Sequence, residues 1–202
     1  MDKLEFEKKC LELGKKYICG IDEVGRGPLA GPVVCCAVIM DLGNLVEGVD
    51  DSKKLSEKKR EKLYDEIIDK SIAYSICEID EKVIDEINIL NATKLCMVNC
   101  VKSLSIKPDV LLVDALKLDC EIEQMNLVKG DMLSYTIGCA SILAKVYRDR
   151  LMKKYGEIYP EYGFEKHAGY GTKAHIEKIK EIGPCKIHRR TFIKNFWAER
   201  EN

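Results

Sequence analysis

At 202 residues, 46 % apolar and 33 % charged, with a net charge of −1, the chain is long enough for one good core, or a core with a small appendage. This composition excludes a disordered protein, and no apolar run reaches the roughly 18 residues that a membrane helix needs. The near-zero charge argues against a generic DNA-coating protein, but it is unevenly spread: residues 145–202 carry 14 Lys+Arg against 8 Asp+Glu, and residues 1–144 carry 19 against 26.

The amino-terminal MDKLEFEKKCLELG reads as a surface helix and not as a signal peptide, which predicts a cytoplasmic protein. Residues 17–25 and 33–40 read as β runs joined by a Gly/Pro turn, consistent with antiparallel neighbours. A helix is predicted over 56–70, with Ser56 as N-cap ahead of Leu63, Ile67 and Ile68. Residues 71–79 alternate as a third strand. Residues 81–105 carry a longer helical pattern interrupted around Asn88 and Asn91. The apolar run 109–115, after Pro108, has the pattern of a buried strand, and 126–131 predicts another. From Met132 onward one amphipathic helix is expected, with Ile137, Ile142, Leu143, Val146 and Leu151 turned inward. YPEYGFEKHAGYGT reads as loop. A helix at 173–182 stops at Gly183-Pro184, and a final basic, aromatic helix is expected over about 188–200. Strands first and helices later predict an α/β layer with a small helical C-terminal part.

The ten cysteines include no CxxC pair, and many lie inside apolar runs. They read as reduced core thiols, a buried free cysteine behaving as a small hydrophobe. Cys96 and Cys100 are a lone pair at helical spacing.

Four acids stand where acids are unusual. Asp22 and Glu23 lie inside the first apolar run, Asp114 ends the run after Pro108, and Asp131 sits where a loop enters a helix. An ionised carboxylate in an apolar strand is costly unless paired or metal-bound. Grouped carboxylates raise one another's pKa, and an oxygen-seeking Mg²⁺ or Mn²⁺ removes that cost. Each acid also has a plainer reading. Asp131 can be an N-cap and Asp114 a turn residue. Glu23 points to the face opposite Asp22 in a regular strand, so both reach one site only if the strand bends or ends there. Lys53 and Lys54 in a loop, and Arg189 and Arg190 of IHRRTF, are surface cations or phosphate contacts. Gly25 and Gly27 let a sugar or phosphate approach the backbone, with Arg26 between them as a phosphate clamp.

The ordered set DEVGRGPLAGPV, SKKLSEKKRE, NILNATKLCM, LLVDA, VKGD, CASILAKVYRDRLM, YGF, GYGT and IHRRTF, spread over residues 18 to about 196, resembles bacterial ribonuclease HII. The resemblance implies a ribonuclease H-like α/β fold, a mixed central sheet flanked by helices, with a small helical C-terminal segment closing over the substrate. It places a core over residues 1–155 and that segment over 156–202, working as one unit. It implies an endoribonuclease that cuts the RNA strand of RNA/DNA hybrids and nicks DNA on the 5′ side of a lone ribonucleotide, leaving a 5′-phosphate and a 3′-hydroxyl. The family's metal ligands fall on Asp22, Glu23, Asp114 and Asp131, holding two divalent ions, Mg²⁺ or Mn²⁺, about 4 Å apart. In that scheme Asp22 bridges the ions, Asp131 serves the attacking water, and Glu23 and Asp114 serve the departing 3′ oxygen. The family's glycine-arginine-glycine motif falls on Gly25, Arg26 and Gly27, and its junction-sensing tyrosine on Tyr170.

The related type III enzymes carry an extra N-terminal domain, for which residues 1–17 leave no room. Ala168 stands in HAGYGT where the family pattern has a lysine, a departure that removes a phosphate contact near Tyr170. NFWAER near the C-terminus is too weak a match to a clamp-binding peptide to predict a protein partner, and a monomer is expected. Two rival classes differ on the same features. A non-catalytic nucleic-acid module has no need of four converging acids, and a thiol redox or zinc protein is expected to show CxxC.

Overall fold

The computed structural model describes residues 2–197. The apolar runs form five strands, β1 (Ile18–Val24), β2 (Val33–Met40), β3 (Ser71–Ile79), β4 (Val110–Asp114) and β5 (Gln124–Leu127). They lie in one mixed sheet of order β3-β2-β1-β4-β5. β1 pairs antiparallel with β2 and β2 with β3, whereas β1–β4 and β4–β5 are parallel. The helices are α1 (Glu5–Glu12), α2 (Glu57–Lys70), α3 (Glu81–Ser103), α4 (Gly130–Leu133), α5 (Tyr135–Ile158), α6 (Phe164–His167), α7 (Lys173–Ile182) and α8 (Arg190–Ile193). Among the described residues no helix is long and apolar enough to cross a membrane.

Side-chain alternation sorts the sheet into two apolar faces. Cys19, Ile21, Cys35 and Ala37 pack against Ala92, Cys96, Met97 and Cys100 of α3. Val34, Cys36 and Val38 pack on the other side against Leu63 and Ile67 of α2 and Cys139, Ile142 and Leu143 of α5. α5 crosses β1 at Gly20, where a β-carbon would lie 2.2 Å from the Thr136 carbonyl carbon. Only a hydrogen side chain lets helix and strand backbones meet this closely.

Local chemistry accounts for the element ends. The Ser56 hydroxyl accepts from the Lys59 amide and starts α2. α3 breaks at Asn88 (φ +65°), whose Oδ1 accepts from the Leu90 and Asn91 amides at 3.0 and 3.1 Å and caps the second half. α7 ends at Gly183. All ten cysteines are free, seven of them buried.

Four expectations need correction. The strand placed at 126–131 is β5 at Gln124–Leu127, because Lys129 turns left-handed and sends the chain into α4. The single helix from Met132 is two, since Ser134 is extended and its hydroxyl caps α5 by accepting from the Ile137 amide. The first ten residues of α5 are all buried, so no single inward stripe exists there, and further along Met152 is buried while Leu151 is half-buried. The last helix spans only Arg190–Ile193 and passes into a turn before Trp197; residues 198–200 of the expected helix, the second half of NFWAER, lie outside the described residues.

Candidate active site

The parallel pairing of β1 with β4 stops at Ile21↔Val113. Asp22 and Asp114 are the next residue on each strand, so two carboxyl groups emerge side by side at the open end of the sheet. Asp22 is registered with Cys36 and Glu23 with Cys35, which belong to opposite apolar faces. The two side chains start on opposite faces, yet they reach one site. Asp22, Glu23 and Asp114 each bring an oxygen within 4.8 Å of the others.

Asp131 comes from the short helix α4. It lies outside that three-acid group but lines the same cleft, of about 360 Å³, with Ser52, Lys53, Lys129, Ser141, Lys145 and Tyr170. The amide of its neighbour Gly130 donates to Asp114 Oδ1 at 2.6 Å, which ties the α4 turn to the end of β4.

The loop after β1 is held from beneath by two buried arginines. Arg189, 0 % exposed, donates from Nη2 to the Gly25 carbonyl at 2.6 Å, from Nη1 to Arg26 at 2.9 Å and from Nε to Gly31 at 2.9 Å. Arg148 donates to the carbonyls of Pro32, Ala168 and Ala30. Gly25 has φ +92°, and a β-carbon there would stand 2.3 Å from Arg148 Nε. The loop is thereby fixed against the cleft, and a β-carbon on Gly27 would lie 3.7 Å from the Tyr170 ring. That ring is 45 % exposed.

The ribonuclease HII family model matches residues 19–199. This chain belongs to the ribonuclease HII family. It is 57 % identical over 192 residues to ribonuclease HII of Caldicellulosiruptor bescii, covering 95 % of this chain and 93 % of that one. Among solved structures it is similar to ribonuclease H2 of Pyrococcus horikoshii, with a TM-score of 0.75 and 31 % identity over 90 % of this chain and 97 % of that one. It is also similar to the ribonuclease HII of Archaeoglobus fulgidus, solved in complex with PCNA, with a TM-score of 0.75 and 26 % identity over 91 % and 98 %. The protein is therefore an endonuclease of the ribonuclease H class, in a family that depends on divalent metal.

The acid cluster of this ribonuclease HII chain suits such a metal. Asp22 is 5 % exposed. Burial, and then the Glu23 charge, push its pKa well above the usual carboxylate range, with Asp114 adding to the rise and the Ser141 hydroxyl opposing it. Glu23 is raised by burial, against the Arg26 charge. Asp114 is raised by burial, partly offset by the Gly130 amide. Glu23 Oε2 is buried with no hydrogen-bond partner. An unpartnered carboxylate oxygen inside a group of crowded carboxyls is an oxygen donor set that a hard divalent cation satisfies.

The flanking cations divide. Lys53 lines the cleft, whereas Lys54 is exposed and 3.9 Å from Asp51. Arg26 points to Glu23, 3.4 Å away. Arg190 is exposed and does not line the cleft; its guanidinium lies over the Trp197 ring and its amide donates to Asp85. The expectation that Arg189 is a phosphate contact is corrected, because its guanidinium is enclosed and spent on loop carbonyls.

Sequence reasoning passed over Arg148, Ser141, Lys129 and Lys145. The signal for Arg148 was its place in the series Ile137, Ser141, Ala144, Arg148, Met152, which follows one face of α5.

Proposed function

We propose that Asp22, Glu23, Asp114 and Asp131 hold two divalent ions, Mg²⁺ or Mn²⁺. On this reading the cleft hydrolyses the RNA strand of RNA/DNA hybrids and nicks duplex DNA on the 5′ side of an embedded ribonucleotide, leaving 5′-phosphate and 3′-hydroxyl ends. The observation that carries it is the three carboxyl groups within 4.8 Å of one another, one with a buried, unpartnered oxygen. When bound, the ions acidify an attacking water and offset charge developing at the scissile phosphate.

The chain's own residues bind and orient. Asp22 feels the charge of both Glu23 and Asp114 and would hold metal together with them. Asp114, with one oxygen anchored by the Gly130 amide, offers the other to the cleft. Asp131 completes the opposite wall beside Lys129 and Lys145. Arg189 occupies the carbonyls of Gly25 and Arg26, which leaves the amides of Gly25, Arg26 and Gly27 to read the 2′-hydroxyl, the group that separates RNA from DNA at one nucleotide. The Tyr170 ring stacks on the deoxyribose of the next nucleotide and so reads the junction. Lys53, Lys54 and Arg190 supply sequence-independent phosphate contacts, which makes activity fall with salt.

Residues 1–155 act as the core and 156–202 as a segment packed on it, a reading supported by the cluster that Ala30 and Met152 share with Tyr162, Phe164, Ile179 and Ile193. One chain carries every residue of the site, in keeping with a monomer. Ten free cysteines support a reducing, cytoplasmic setting.

Isothermal titration with Mg²⁺ or Mn²⁺ tests the metal assignment. Saturable binding in the wild-type protein, lost in Asp22→Asn, supports it; equal binding by both proteins removes it.

A further inference from the structure

The chain's three histidines, His167, His175 and His188, gather beneath the loop that carries Tyr170. His175 and His188 are 0 % and 1 % exposed, and the His167 ring stacks on His175 with centroids 4.4 Å apart. None of them touches the acid cluster. We propose that His188 and His175 form a directional relay of neutral imidazoles in opposite tautomers that holds the Tyr170 backbone and thereby sets how sharply the enzyme reads the junction. This rests on the junction-reading role given to Tyr170 above.

The hydrogen-bond partners assign each ring nitrogen. The Cys185 amide points at His188 Nδ1 at 3.0 Å, with the Cys185 thiol 3.2 Å from the same nitrogen. Nδ1 of His188 is therefore an acceptor, and its proton sits on Nε2. That proton faces His175 Nε2 at 3.0 Å, which must accept. His175 then carries its proton on Nδ1, and Nδ1 donates to the Tyr170 carbonyl at 2.8 Å. Every link is satisfied in this direction and in no other. A proton added to either ring puts two N–H groups face to face, and burial holds His175 at about 4 and His188 at about 3.

The third histidine closes the same loop. His167 Nδ1 accepts from the Gly169 amide and its Nε2 donates to the Tyr162 carbonyl, while the His167 carbonyl accepts from the Tyr170 amide at 2.9 Å. On the far side the Gly169 carbonyl accepts from the Leu29 amide, and the Leu29 carbonyl from the Arg189 amide. The backbone at Tyr170 is thus tied both to the histidine relay and to the loop after β1, leaving only its ring to face the cleft. A loose backbone would let that ring leave Gly27; a fixed one presents it to the sugar at one place.

Two measurements test this. Nitrogen-15 NMR of the full chain at neutral pH is expected to show both relay rings neutral, His188 protonated at Nε2 and His175 at Nδ1. A His175 ring protonated at Nε2, or a charged ring at either relay position, overturns the relay.

The second is the ratio of nicking at a single ribonucleotide to cleavage of a long hybrid. His175→Asn keeps a side-chain N–H near the Nδ1 position and should hold most of the wild-type ratio. His175→Gln can meet His188 but leaves the Tyr170 carbonyl without its side-chain donor, and should lower the ratio roughly 5- to 10-fold, the worth of about one hydrogen bond. Ile179→Ala, in the same apolar cluster, controls for lost stability and should leave the ratio in place. Equal ratios for the Asn and Gln variants overturn the proposal, as does an Ile179→Ala ratio that falls as far as the Gln one. Should Tyr170→Ala leave the ratio unchanged, the junction reading itself fails and takes the functional half of the proposal with it, while the tautomers stand or fall by NMR alone.

Discussion

The guanidinium of Arg189 holds the carbonyl oxygen of Gly25 at 2.6 Å, joining residues 164 positions apart in the chain. The same group also holds the carbonyls of Arg26 and Gly31, so one side chain near the C-terminus shapes the loop beside the metal ligands. Burial lowers its pKa to about 9, which leaves it charged at neutral pH.

Arg189→Met should therefore strip several buried carbonyls of their donor. The expected loss is roughly 2–5 kcal/mol, from buried polar groups left unsatisfied. Arg190→Met, on the exposed neighbour, should change stability by less than about 1 kcal/mol. Urea midpoints compare the two; similar midpoints mean that Arg189 is not holding the loop.

The acids should make the metal-free protein sensitive to pH. Asp22, Glu23 and Asp114 are all raised, chiefly by burial. A carboxyl whose folded pKa exceeds its unfolded one contributes stability that is fully present below the unfolded value and is lost as pH rises through the folded one. In EDTA, wild type should lose stability relative to Asp22→Asn from about pH 4, the ordinary carboxylate range, upward toward neutrality. At pH 7 the Asn variant should be the more stable by roughly 1–3 kcal/mol, the cost of a poorly compensated buried group. Added Mg²⁺ should reverse that order. Thermal melts across pH with and without metal read both effects, and a metal-free wild type that outlasts the variant at pH 7 contradicts them.

Gly20→Ala places a methyl 2.2 Å from the Thr136 backbone. Neither β1 nor α5 can yield without separating Asp22 from Ser141, so a loss of about 3 kcal/mol or more is expected, at the upper end of overpacking costs. Unfolding in urea measures it. A loss under about 1 kcal/mol shows that the contact between strand and helix is soft.

Tyr170→Ala should impair nicking at a single ribonucleotide more than cleavage of a long hybrid, while metal affinity stays the same. Rates on the two substrates under matched conditions decide; equal losses remove the ring's role in reading the junction.

Where local chemistry decides, the sequence was readable. The Ser56 cap, the asparagine that breaks α3 at Asn88 and the Gly183-Pro184 stop all act within a few residues, and each lies where its residue type predicts. The break at Ser134 was not readable, because the apolar pattern runs straight through it and only the extended backbone at Ser134 creates a second helix. Asp22 and Glu23 required a strand that bends or ends at them to share a site, and β1 carries both within its ladder and runs on to Val24. Which acids crowd together was a tertiary matter: the end of the β1–β4 ladder brings in Asp114 and leaves Asp131 across the cleft. Arg189 misled because an arginine beside another basic residue reads as surface, and its carbonyl partners at Gly25, Arg26 and Gly31 are far away in the chain. Arg148 was hidden in the same way.

The most direct test is a gel assay on duplex DNA containing one ribonucleotide, run with wild type and Asp22→Asn, with and without Mg²⁺. A nick on the 5′ side of the ribonucleotide, seen only with wild type and metal, is the expected result, with Asp22→Asn still binding the duplex. Wild-type cleavage by Asp22→Asn in Mg²⁺, or cleavage by either protein in the full absence of divalent cations, contradicts the account.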